Sequence, residues 1–129
     1  MSWTTARLQA AGVAAATTSS HVAWSENGTD EAHAKVARTA LTGTNGIVVT
    51  DANPSVASNE EALESAGAAA GGAAITHFAF CMSDTGGASD LTTTWNALDD
   101  TVNLLEGGKI TVAIGALKEN IHQTTSAPS

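Results

Sequence analysis

Ala74-Ile75-Thr76-His77-Phe78-Ala79-Phe80-Cys81-Met82-Ser83 is the stretch on which the fold turns. Strict alternation puts Thr76, Phe78, Phe80 and Met82 on one face and Ile75, His77, Ala79 and Cys81 on the other. Both faces are largely apolar, so this strand is expected at the centre of a sheet, covered on two sides. Asp84-Thr85-Gly86-Gly87 then reads as a tight turn.

Working outward from this strand, His21-Val22-Ala23-Trp24 reads as a short strand, and Ser25 to Asp30 as a turn marked by Asn27-Gly28. Ile47-Val48-Val49-Thr50 is β-branched throughout and is the clearest strand of the first half. Ala32 to Leu41 alternates and is read as a further strand. Leu91 to Leu98, holding Trp95, is β-prone, with Asp99-Asp100 as its end. Glu106-Gly107-Gly108-Lys109 is read as a hairpin turn returning through Ile110, Val112 and Ile114. Between residues 51 and 72 lies a polar, Ala/Gly-rich stretch, read as flexible. Within it, Asn59 to Ser65 has the composition of one or two helical turns, and Gly67 to Gly72 has too little side chain to pack. The Ala-rich start, residues 1–18, reads as a helix, and residues 118–129 as a tail. The expected architecture is mainly β: one domain over 1–129, an antiparallel β-sandwich or jelly-roll across 20–117 behind an N-terminal helix.

The composition limits what this domain can do unaided. Of 129 residues 43% are apolar, but 26 of these 55 are Ala, and Leu, Ile, Val and Phe together number 23. With a net charge of −8, the chain lies near the compositional edge of disorder. Ala removes little surface from water, so the core is thin against the backbone entropy it must offset, and a partner is expected to complete the fold. Trp3, Leu8, Trp24 and Trp95 are the candidate interface residues, since aromatic anchors dominate protein contacts. The alternative for each Trp is a place in the core.

Other classes are disfavoured. No apolar run approaches membrane-spanning length, and Met1-Ser2-Trp3 lacks the basic start and apolar stretch of a signal peptide, so neither membrane association nor standard export is expected. Asn27-Gly28-Thr29 fits a glycosylation sequon but reads as a turn in that setting. Five basic residues and a pI near 4.6 argue against nucleic acid as a partner. The single cysteine, Cys81, allows no internal disulfide, and His21, His33, His77 and His122 show no metal-ligand spacing. No metal, cofactor or catalytic residue is assigned; His77 is read as a satisfied core or interface residue and Cys81 as a buried, inert thiol. Asp84-Thr85-Gly86 resembles the loop of retroviral-type aspartic proteases, with Ala113-Ile114-Gly115 as the later element. The interval between the two is shorter than in that family, so a turn is the leading reading and a homodimeric protease using Asp84 the alternative.

A wider resemblance covers much of the chain. Ala74-Ile75-Thr76-His77-Phe78-Ala79-Phe80-Cys81, Asp84-Thr85-Gly86-Gly87, and Val102 through Glu106-Gly107-Gly108-Lys109-Ile110-Thr111-Val112 resemble small tailed-bacteriophage virion proteins. Ser20-His21-Val22-Ala23-Trp24 and Ala37-Arg38-Thr39-Ala40 are similar to that family's opening pattern, although His33-Ala34 stand where it has an aromatic. Members are labelled tail-fibre-like or minor virion proteins, and β domains of this size also serve as capsid decoration proteins. The resemblance implies a β-sandwich that works by assembly, made in the host cytoplasm and resident in the virion. It implies as partners the major capsid protein and further copies of the chain. The leading expectation is a non-enzymatic capsid decoration or cement protein, with a tail, tail-fibre or baseplate component second.

Overall fold

Three antiparallel sheets are built around the decisive strand. The structure is a computed structural model and describes residues 19–44, 46–50, 55–85, 91–92 and 94–122. The expected N-terminal helix, with Trp3 and Leu8, lies outside the described residues, as do Gly86, Gly87 and the last part of the tail. The strands are β1 (His21–Ser25), β2 (Thr39–Ala40), β3 (Ile47–Thr50), β4 (Ser55–Asn59), β5 (Leu63–Glu64), β6 (Ala73–Cys81), β7 (Asn96–Leu104), β8 (Thr111–Val112) and β9 (Lys118–His122). They form sheets of order β2-β1-β6-β7, β3-β4-β9 and β5-β8. The described chain is thus mainly β.

As its two apolar faces require, β6 is central, flanked by β1 and β7. Val22 stands opposite Phe80 and Trp24 opposite Phe78, so the largest side chains of the two strands meet as cross-strand pairs. Phe78 and Phe80 pack edge to face with ring centroids 5.4 Å apart, the arrangement favoured by the ring quadrupole. The alternation does not run unbroken. Ile75 pairs with Val102 but His77 with Ala97, so Leu98 to Thr101 of β7 stand opposite Thr76 alone. Across this irregularity the face changes, and Ile75 joins Phe78 and Phe80 in one buried cluster, not His77 as simple alternation expects.

Several other expectations are corrected. Of Ala32–Leu41 only Thr39 and Ala40 are in a strand. Before them the Lys35 and Val36 amides donate to the Ala32 carbonyl, a helical turn that drops Val36 into the core. Asp99 and Asp100 do not end a strand; they lie inside β7, where the ladder is broken and the side chains reach water. The turn at 106–109 does not fold the chain back on β7. Val112 pairs with Leu63, and Ile114 projects into solvent.

Nor is the Ala/Gly-rich stretch without packing. From Ser55 onward it supplies β4, β5 and the buried Ala57, Leu63 and Ala68, with no helical turn at Asn59–Ser65. Its small residues pack through the backbone: Ala68 N–H donates to Gly108 O at 2.9 Å and Gly107 N–H to Ala68 O at 2.8 Å. A Cβ on Gly67 would lie 3.1 Å from Gly107 O. Two buried polar side chains complete the join. Asn59 donates through Nδ2 to Glu61 O and Ala113 O and accepts from Leu117 N–H, while Ser65 Oγ accepts from Ile110 N–H at 2.8 Å.

Gly72 and Gly71 separate close approach from backbone conformation. Both have positive φ, 71° and 92°. An added Cβ at Gly72 would fall on the Leu104 carbonyl, whereas one at Gly71 meets nothing within 4 Å. Gly71→Ala is expected to cost about 1–2 kcal/mol, the left-handed backbone term alone. Gly72→Ala should cost roughly 3 kcal/mol or more, because the β6–β7 approach must open. Urea denaturation of the two variants checks the order.

Candidate functional site

The described sheets leave one long strand open along one side. β2, at the other end of its sheet, has two residues, whereas β7 has nine and, among the described residues, pairs with β6 alone. Its outer backbone amides and carbonyls form the kind of row to which another chain can add a strand. Ala97, Asp99, Asp100, Thr101 and Asn103 are exposed. Three exposed residues in succession, Asp99 to Thr101, are the surface expression of the irregular ladder opposite Thr76, and they bring two carboxylates to the edge.

Beside the first half of β7 runs a groove of about 510 Å³, with Phe78, Leu98 and Ile114 as its apolar lining and Asp99 and Lys118 among its polar groups. Ile114 is 68% exposed, on the turn that the Gly115 backbone, at φ 72°, makes possible. Close by, Glu119 of β9 is half-buried, and its Oε2 has no hydrogen-bond partner. Burial pushes its carboxyl above the ordinary range, a shift that a hydrogen bond with the Asn96 side chain opposes.

At the opposite end of the sheet a charge is held far from water. The Arg38 side chain is 0% exposed and that of Glu31 10%. Arg38 Nε donates to Glu31 Oε2 at 2.9 Å and Nη2 to Oε1 at 2.8 Å, while Nη1 donates to Ser83 O at 3.0 Å. This bidentate pair ties the β1–β2 connection to the end of β6. Glu26 performs a similar service at the surface. Its carboxylate accepts from the Ala74 amide and the Lys35 ammonium, and those two groups hold it below the ordinary range.

The residues singled out from sequence fall in different places. Trp24 is 1% exposed and its Nε1 donates to Thr39 Oγ1 at 3.0 Å, so it takes the core alternative and offers no face to a partner. Trp95 is half-buried just before β7. Asp84 is exposed beyond β6, in a bend where Thr85 N–H donates to Ser83 Oγ. His77 hydrogen-bonds Thr76 Oγ1 through Nδ1 and packs its ring against Gly28. Cys81 is buried, with its Sγ 3.6 Å from Ser83 O. Among the described residues no group of three or more His, Cys, Asp or Glu could hold a metal ion. Sequence reasoning missed the β7 edge and the Glu31–Arg38 pair. Asp99-Asp100 was the available signal for the first; for the second it was a buried-strand neighbourhood containing one of only five basic residues.

Set beside known proteins, the chain matches no family model, no curated protein and no solved structure.

Two predictions follow from the charges. Glu31→Gln is expected to cost about 3–5 kcal/mol, since it leaves a buried guanidinium uncompensated, and adding Arg38→Met should recover much of the loss; denaturation of the single and double variants tests this. The two shifted carboxyls act at opposite ends of the acid range. Glu26, lowered in the folded state, adds stability above its unfolded range that is lost as pH falls through its folded value. Glu119, raised, favours the folded state below its unfolded range, and that contribution is lost as pH rises through its folded value. Glu119→Gln should therefore gain on the native protein as pH rises from 4 to 7, measured as the change in midpoint at each pH.

Proposed function

We propose that this chain is a non-enzymatic structural subunit of a tailed virus particle, bound in many copies to the capsid exterior as a decoration or cement protein. In this reading the antiparallel sheets form a β-sandwich, and the partners are the major capsid protein and neighbouring copies. The observation that carries the proposal is the nine-residue β7 edge, exposed at Ala97, Asp99, Asp100, Thr101 and Asn103 and flanked by a groove. An edge of this length is a liability for a free protein and an asset for one that docks. The thin core supports the same reading, because a partner that binds only the folded form adds stability by mass action. The resemblance of β6 and its flanking turns to small tailed-phage virion proteins supplies the kind of particle.

Capsid placement is preferred to the tail on two physical grounds. A subunit that holds little stability of its own is suited to a lattice that surrounds it with neighbours, and its acidic exterior suits a particle surface that must stay dispersed. The protease alternative needs Asp84 to face a second Asp84 in a shielded site, and among the described residues of one chain Asp84 and Thr85 are exposed.

The test is reconstitution. Purified chain mixed with particles lacking it should co-sediment to saturation and raise the temperature at which the particles release their contents. Absence of binding to capsids, with binding to isolated tails, would move the assignment to the tail. Loss of a proteolytic activity in Asp84→Asn, with assembly intact, would move it to the enzyme. The isolated chain should unfold at a lower temperature than the particle-bound chain, as scanning calorimetry of both would show.

A further inference from the structure

We propose that the β7 edge and the groove beside it bind an extended segment of a different protein, in which basic and apolar residues alternate, as an added strand. This rests on the assembly reading and specifies which surface is used and what chemistry it takes. Strand addition supplies main-chain hydrogen bonds along the outer side of β7, and alternate side chains of the incoming segment then fall on opposite faces. The groove offers apolar contacts at Leu98 and the exposed Ile114, above the buried Phe78, alongside the polar groups of Asp99 and Lys118. The edge itself is acidic, with Asp99 and Asp100 both exposed where the ladder to β6 is broken. An incoming strand with apolar residues on the groove face and Lys or Arg elsewhere meets both requirements.

The same charges disqualify the nearest competitor, a second copy. Antiparallel pairing of β7 with its own copy about the Asp99-Asp100 step would set each of these carboxylates against one from the partner, and like charges directly opposite are destabilising in a sheet. Lys118, beside Asp99 in the groove, is one of only five basic residues in a chain of net charge −8. Self-pairing about that step is therefore disfavoured, and a basic strand is the better match, its approach accelerated by the acidic field.

The experiment uses the full chain and two octapeptides, one alternating Lys and Val, the other Glu and Val. Amide hydrogen exchange should slow across 97–103 with the Lys-Val peptide and remain unchanged with Glu-Val. Asp99→Asn/Asp100→Asn should weaken Lys-Val binding roughly tenfold, and the advantage over Glu-Val should shrink as salt rises. Ile114→Ser, at a site exposed enough to leave folding intact, should weaken it severalfold. Equal binding of both peptides, slowed exchange confined to other strands, no binding of Lys-Val, or unchanged affinity in the double Asn variant would each overturn the proposal. Particle binding separates its failure from that of the functional reading. If native chain and Asp99→Asn/Asp100→Asn both decorate particles equally, the edge is wrong and the assembly role stands. If neither decorates while Lys-Val still maps to β7, the edge stands and the assembly role fails.

Discussion

Everything in this fold follows from covering β6 on both faces with a chain that has few large side chains to spend. Val22, Trp24, Phe78 and Phe80 fill one side of the β1–β6 pair, and the opposite positions Ala23, Ala79 and Cys81 are equally inaccessible to water. Bulk of this kind runs out quickly. Elsewhere the chain removes surface from water by bringing backbones together, and that requires residues with almost nothing beyond Cα. Gly67 lies against Gly107, and Gly72 against the Leu104 carbonyl. Ala and Gly, which look like an absence of core in the composition, are the means by which the segment 65–72 reaches 105–110.

Close backbone approach strips water from peptide groups, so the hydrogen bonds at these joins must be made or the approach is lost. Asn59 and Ser65 occupy the points where strand pairing stops and carbonyls or amides would otherwise be orphaned. Asn59 alone serves Glu61, Ala113 and Leu117, fixing sheet β3-β4-β9 to the segment after β8. Glu31 and Arg38 follow the same logic with full charges. Replacing such a pair with apolar side chains is often neutral in stability, so its contribution is to position: the guanidinium fork admits one arrangement of the β1–β2 connection against Ser83. A chain short of shape-specific apolar packing obtains definition from directional polar contacts.

This division explains what could be read in advance. β1, β3 and β6 were legible because each is a run of β-branched or large apolar residues whose pattern states its burial directly, and Asn27-Gly28 states its turn. The Ala32–Leu41 stretch misled because Ala fits either period, and only the docking of Val36 and Arg38 chooses between them. The stretch 65–72 was opaque since its packing partner, 105–110, lies some forty residues on and makes contact through backbone, which leaves no trace in side-chain pattern. For β8 the turn Gly107-Gly108 was visible, but its partner strand was not; Lys109 and Thr111 suit a return onto β7 as well as they suit β5. Of the candidate interface residues, Trp24 was decided by a single hydrogen bond to Thr39, a contact between positions fifteen apart that periodicity cannot express.

The irregular ladder opposite Thr76 links the core to the edge. Where Leu98 to Thr101 stand against one residue of β6, Ile75 is buried with Phe78 and Phe80, and Asp99 and Asp100 among the extra residues of β7 are exposed. At this one departure from regular pairing a large aliphatic of the core and two carboxylates of the open edge lie side by side. Bulges and carboxylates are common guards of exposed strands against indiscriminate pairing. Here the guard is discriminating, because a carboxylate repels an acidic strand and attracts a basic one. In the proposed binding mode, the carboxylates that oppose self-pairing at the Asp99-Asp100 step are the same groups that favour a basic strand.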